Sequence, residues 1–283
     1  MLADHTIAVV IPALNEARLL PRTLSGLPRF VDIAVVIDDG STDHTAEVAR
    51  ACDAACRVVV VSHAHNQGVG AAIVTGYRWC LEEGVDVAVV MGADDQMHPD
   101  DLPGLLEPLL SGDADYVTGD RLAWPGGWRR FPPVRLVGVV ALAAMTRWAT
   151  GLPALRDAQC GYTAVTRDAL ARIPLDSLYA RYGFPNDMLA KVVGARLRVA
   201  HRPVRPVYGT EVSALRIHKV VGPLVRLTLA NHQARLRGAS AEPLPPAVRS
   251  TFAPSPTRAP RPSPPLNPSA PPPPPRLRSP RTP

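Results

Sequence analysis

At 283 residues the chain can hold one α/β domain of about 240 residues plus an appendage. Hydrophobic residues make up 46% and aromatics only 5%, so the core must be mainly aliphatic. The formal net charge of +6 does not argue for nucleic acid: from residue 239 onward six Arg face one acid, Glu242, leaving the rest near +1 without a clustered basic face.

None of the four cysteines, Cys52, Cys56, Cys80 and Cys160, forms a CxxC pair or a zinc-like spacing. They are expected as small core or helix residues in a reducing compartment. The N-terminus lacks the basic and apolar regions of a secretory signal. No uncharged apolar run is long enough to span a bilayer.

The β-branched run 7–11 predicts a first strand ending at Pro12, and leucine spacing predicts a helix over 17–27. Residues 33–37 read as a buried strand that ends in Asp38-Asp39-Gly40-Ser41-Thr42-Asp43. Ser41 or Thr42 is placed to cap the helix that follows. A third strand over 57–62, a Gly-containing turn over 66–70 and a helix over 71–83 come next.

The stretch 85–99 is the most informative. An apolar run, 85–91, broken only by Asp86, reads as a strand buried on both faces. It stops at Gly92 and is followed by Asp94, Asp95 and Gln96. Hard oxygen donors at the carboxyl end of such a strand suit Mg²⁺ or Mn²⁺ sharing its coordination with phosphate oxygens. A helix over 102–110 and a strand over 115–119 complete the alternation. That alternation predicts a mostly parallel sheet covered on both faces.

Beyond it, 121–133 reads as a loop and 134–150 as a helix whose only charges are Arg135 and Arg147. The latter is expected as a core helix, with an amphipathic helix lying on a membrane as the alternative. A loop and strand over 157–165, a helix over 184–193, strand-like segments over 196–208 and a last helix over 217–237 follow. From 239 to 283 the chain holds 17 of its 32 prolines and is expected to be disordered. The expected division is therefore 1–238, the folded domain, and 239–283, a Pro/Arg-rich tail.

Four polar clusters, 12–16, 38–43, 66–70 and 94–98, fall at the ends of successive predicted strands. In a parallel sheet those ends converge on one edge, where α/β sheets bind ligands. With Ile11-Pro12-Ala13-Leu14-Asn15-Glu16, Asp38-Asp39-Gly40-Ser41-Thr42-Asp43, Asn66-Gln67-Gly68-Val69-Gly70-Ala71 and Ala93-Asp94-Asp95-Gln96 in order, the chain resembles family 2 glycosyltransferases. The likeness extends to the polyprenol-phosphate sugar synthases and covers roughly residues 5 to 235.

The resemblance implies the GT-A (nucleotide-diphospho-sugar transferase) fold, an α/β sheet flanked by helices. It implies an inverting, hexosyltransferase-type reaction on a UDP- or GDP-linked sugar, with Mg²⁺ or Mn²⁺. Pro12, Ala13 and Glu16 would line the base and ribose pocket, and Asp39 would hold the base. Asp94 would bind the cation, with Gln96 as a further ligand. Arg121 would contact a phosphate of donor or acceptor. Asp187 sits where the family often carries an acid near the acceptor, with Asp157 its rival as general base. Tyr208, Glu211 and Ser213 resemble the segment that closes over the donor.

The family often has Asp-x-Asp where this chain has Gly92-Ala93-Asp94, so one metal or ribose contact is missing. The acceptor stays open between a polyprenyl phosphate at a membrane surface and a non-lipid acceptor. The expected location is the cytoplasm, peripheral on the inner membrane face. A non-catalytic nucleotide-sugar-binding relative is the rival of a different class. A dinucleotide-binding oxidoreductase is disfavoured, because Ile73 stands where the third glycine would be and the first turn has no glycine.

Overall fold

The computed structural model describes residues 2, 4–207 and 217–239. Tyr208, Glu211, Ser213 and the tail from residue 240 lie outside the described residues. In chain order the elements are β1 (Ile7–Ala13), α1 (Leu20–Ser25), β2 (Ile33–Asp38), α2 (Thr45–Ala51), β3 (Arg57–Ser62), α3 (Val69–Glu82), β4 (Val87–Val90) and α4 (Leu102–Leu110). Then come β5 (Tyr116–Asp120), α5 (Pro133–Thr150), β6 (Thr163–Thr166), α6 (Arg167–Arg172), α7 (Phe184–Gly194), β7 (Val199–Pro203) and α8 (Ile217–Ala239).

The strands form one seven-stranded sheet in the order β3-β2-β1-β4-β6-β5-β7. Only β6 runs antiparallel to its neighbours, β4 and β5. The remaining pairings are parallel, with Ala13 opposite Asp38, and Asp38 opposite Ser62. The carboxyl ends of β1 to β4 therefore share one rim. Because β6 is reversed, its first residue rather than its last reaches that rim: Thr163 pairs with Val90.

Side chains alternate between two cores, as the two-residue strand period requires. Ala8, Val10, Val35, Ile37 and Val90 pack with α3, α6 and α7 on one face. Ile7, Val9, Val36, Val87 and Val89 pack with α1 and α4 on the other. The cores are aliphatic, with three tyrosines, Tyr77, Tyr116 and Tyr162, as their largest fully buried side chains.

Three details differ from the expectation. The first helix is α1 alone, six residues rather than 17–27. The backbone N–H groups of Asn15, Glu16 and Ala17 donate instead to Ser41 of the next loop, Thr45 at the start of α2 and Asp43 of that loop. Neither Ser41 nor Thr42 caps α2. His44 stands at that position without a side-chain bond, and Asp43 takes the Thr45 N–H at 3.0 Å. Finally, α6 is not among the expected elements; Thr166 caps it, its hydroxyl accepting from the Ala169 N–H at 3.3 Å.

Candidate active site

The rim is assembled by loops that tie one another down. Asn15 takes a left-handed backbone (φ 57°), and its Oδ1 accepts from the Thr42 N–H at 2.8 Å. The Asp39 N–H donates to the Ala13 carbonyl at 2.9 Å. The loop after β1 is thus braced against the loop after β2, and half-buried Glu16 is held between them.

Asp39 is almost fully buried, at 3% exposure. Its Oδ1 accepts from the Gln67 N–H at 2.9 Å and meets His63 Nδ1 at 2.7 Å. Its Oδ2 accepts from the Gly68 N–H at 2.8 Å. His63 Nε2 in turn meets Thr75 Oγ1 at 2.9 Å, so this histidine is structural. Asp39 thus shapes the turn between β3 and α3. Gly40 is required there: at φ 72° its Cβ would fall 2.7 Å from the His65 carbonyl carbon.

The loop after β4 carries the candidate cation ligands. Asp94 Oδ1 accepts from the Gln96 N–H at 3.2 Å, so the two residues lie together. Asp95, between them, adopts φ 59°. A Cβ at Gly92 would stand 2.8 Å from Asp94 Oδ1, so the glycine leaves open the space beside that carboxylate. Among the described residues no three His, Cys, Asp or Glu side chains form a closed metal cage. Asp94 with Gln96 beside an open flank fits a Mg²⁺ or Mn²⁺ ion, which takes one or two protein oxygens and shares the rest with a diphosphate.

Two hollows adjoin this loop. The larger, of about 220 Å³, is mainly apolar; Pro12, Gly92, Gln159, Thr163 and Tyr182 are among its walls. The smaller, of about 30 Å³, is lined by Gln96, Arg121 and Arg205 among others. They share Met97, Cys160 and Gly161. Burial pushes the Cys160 thiol up to about 12, so it stays protonated and is no nucleophile at neutral pH. Burial also raises Tyr182, against the opposing pull of Arg135 and Arg121.

Arg121 and Asp157, expected as phosphate contact and rival base, are partners. Nε and Nη2 of Arg121 donate to the two Asp157 oxygens at 2.7 and 2.9 Å. Asp157 also accepts from the Arg121 and Gln159 N–H groups. Both oxygens of this fully buried carboxylate are thus engaged, by the bidentate guanidinium and by two backbone N–H groups. The geometry therefore favours Asp157 as the residue that orients Arg121 over Asp157 as a base.

Asp187 lies in the first turn of α7 and outside both hollows, although Phe184 and Pro185 of that turn line the larger one. Its Oδ2 accepts from the Tyr179 N–H at 2.8 Å, and its Oδ1 is buried with no hydrogen-bond partner.

Sequence reasoning missed Gln159 and Arg205. Gln159 lies inside the Asp157–Tyr162 stretch, lines the larger hollow and donates to Asn186, which donates to Thr146. Its nearness to Asp157 was the only signal. Arg205 donates to Asp100 at 3.2 Å, pairs with Asp101 at 3.2 Å and lies over the Trp124 ring at 5.3 Å. Its partners are about a hundred positions away, and no local pattern marks it.

Known proteins carry the same organisation. The chain is 35% identical over 202 residues to the undecaprenyl-phosphate mannosyltransferase of Micrococcus luteus, covering 70% of this chain and 82% of that one. It is 28% identical over 229 residues to the UDP-N-acetylglucosamine–dolichyl-phosphate N-acetylglucosaminyltransferase of Methanococcus voltae, covering 76% and 90%. Among solved structures it matches glucosyl-3-phosphoglycerate synthase from Mycobacterium tuberculosis, in complex with Mn²⁺, UDP-glucose and phosphoglyceric acid. The TM-score is 0.63 at 22% identity, covering 81% of this chain and 80% of that one, a likeness of fold. That fold is GT-A. The family model for glycosyl transferase family 2 matches residues 8–173, from β1 past α6, and with that span the chain belongs to glycosyl transferase family 2 and is an enzyme of nucleotide-sugar transfer.

Proposed function

We propose that the chain moves a sugar, with inversion, from a nucleoside-diphosphate donor to the phosphate of a polyprenyl carrier. The observation that carries this reading is the loop of Asp94 and Gln96 after β4, on the rim that also carries the loops after β1, β2 and β3, with no Cβ at Gly92 beside the Asp94 carboxylate. The relatives named for undecaprenyl and dolichyl phosphate support the acceptor class.

In this reading Pro12, Ala13 and Glu16 cradle the base and ribose. The Asp39 carboxylate keeps the adjoining turn in shape and offers Oδ2 to the base. Asp94 and Gln96 would hold a divalent cation, which supplies charge neutralisation for the departing diphosphate. Arg121, oriented by Asp157, points a cation at the smaller hollow, where an acceptor or donor phosphate would lie. A phosphate oxygen is already ionised at neutral pH, so this transfer needs no general base. Asp187 would take that role only with a hydroxyl acceptor.

The test is a panel of UDP- and GDP-linked sugars with a polyprenyl phosphate, with Mn²⁺ or Mg²⁺ and with chelator, the products read by mass spectrometry. Asp94→Ala is expected to lower turnover by at least about 100-fold with the melting temperature nearly unchanged. Full activity in that variant, or in chelator, would remove the cation from the reading. Glycosylated product only with hydroxyl acceptors would remove the lipid phosphate.

A further inference from the structure

The helices α5 and α8 turn an apolar, acid-free surface outward. On α5 the exposed positions Val137, Val140, Ala144 and Trp148 recur at spacings of three and four, so they form one stripe. Val137 is 69% exposed and Trp148 50%. On α8 the exposed Val225, Leu229 and Leu236 form a second stripe. The two meet at Trp148, whose ring stacks on His232 with centroids 3.7 Å apart. Arg235 donates to the Trp148 carbonyl at 3.2 Å and locks the same junction. His232 lies three positions after Leu229 and four before Leu236, so the α8 stripe borders α5 rather than the far side of the helix.

The charge around these stripes has one sign. Neither α5, nor α8, nor the 3-10 turn Gly127–Arg130 contains an Asp or Glu. Exposed around them are Arg129, Arg130, Arg135, Arg226, Arg235 and Arg237. Trp128, also exposed, carries Arg129 over its ring at 5.1 Å. The 18-residue α5 and the 23-residue α8 are long, yet no helix of the described residues is apolar enough to cross a membrane. Apolar stripes with tryptophan and a basic surround are the chemistry of a helix lying in a lipid interface. A second copy of this chain would bring Arg against Arg, which disfavours self-association through this face.

We propose that α5 and α8 dock the enzyme on an anionic bilayer, with Val137, Val140, Trp148 and Leu229 entering the acyl boundary and the arginines contacting lipid phosphates. This deepens the proposed reaction by giving its acceptor a phase, and rests on that reading for its purpose but not for its observations. α7, whose first turn lines the larger hollow, packs against both helices, so the docked face adjoins the mouth of the site. Tyr182, at that mouth, already feels the charge of Arg135.

The test is flotation of the full chain with phosphatidylcholine vesicles and with vesicles containing phosphatidylglycerol as well, both free of polyprenyl phosphate. The full chain is expected to float with the anionic vesicles and much less with the neutral ones. Val137→Asp with Val140→Asp, both solvent-facing, is expected to lower partitioning at least about tenfold with an unchanged melting temperature and unchanged UDP-sugar binding. Arg226→Gln with Arg237→Gln should weaken binding to anionic vesicles alone. If the double Asp variant floats as well as the parent, binding lies elsewhere, including in the basic tail, and the proposal is overturned. It is equally overturned if the parent does not float, or if sedimentation without vesicles shows a dimer that the same variant dissolves. Sugar transfer to a short-chain polyprenyl phosphate in detergent is measured on the same proteins. A failure there counts against the reaction and not against the docking face.

Discussion

The Asp39 carboxylate has about four acceptor positions, and the chain's own donors take three of them. The last, on Oδ2, is the position that the proposed reading assigns to the base. Asp39→Ala would leave His63 Nδ1 and two backbone N–H groups without their acceptor in a buried site. A loss of about 3–5 kcal/mol is expected in urea unfolding, together with weaker nucleotide binding in calorimetry. Gly92 acts differently. Gly92→Ala would force the Asp94 carboxylate to rotate away from a contact at 2.8 Å, and a side-chain tip moves cheaply. Stability should hardly change while Mn²⁺ affinity falls by about tenfold or more, read by metal titration of nucleotide release. Asp39 and Asp94 stood out in the sequence because each ends an apolar run. The pairing of Arg121 with Asp157 did not, since 36 residues separate them and both belong to irregular segments.

Among the elements, the edge strand β7 is laddered to β5, and an ion pair clamps the start of that ladder. Arg198 donates its Nε and Nη2 to Asp115 at 3.0 and 2.7 Å, and its backbone N–H donates at 2.8 Å. Burial pushes the Asp115 carboxyl up, but these bonds and the Arg198 charge outweigh it and leave it below its ordinary 3.8. A carboxylate depressed on folding contributes stability above its ordinary value and loses it as the pH falls through the lower, folded value. The β7 edge should therefore loosen in acid below about pH 4, seen as faster amide exchange at Val199 to His201. Asp115→Asn should lower stability at pH 7 by about 1–2 kcal/mol and flatten that acid dependence. Strands were legible here because apolar runs need only local period. Helix limits were less so: Ala17 to Leu27 has helical spacing, yet the N–H groups of Glu16 and Ala17 go to Thr45 and Asp43 and the helix starts only at Leu20. The short α6 has too few turns to show a period.

For the whole molecule the expectation is a folded unit that ends with α8. A chain stopped after residue 239 should melt within about 2 °C of the full chain by calorimetry and keep its nucleotide binding; a large drop would mean that the tail contributes to the fold. By itself the sequence determined the layered α/β architecture, the places of the first five strands along the chain and the gathering of four polar clusters at one rim. Those follow from periodicity and from parallel pairing, which are local patterns repeated along the chain. Only the tertiary structure decided that β6 runs in reverse and brings Gln159 and Cys160 to that rim. It alone decided that Asp157 is bound to Arg121, and that the outer stripes of α5 and α8 join into one surface. Each of these depends on contacts between residues far apart in the chain, and a contact of that kind leaves no period for a sequence to display.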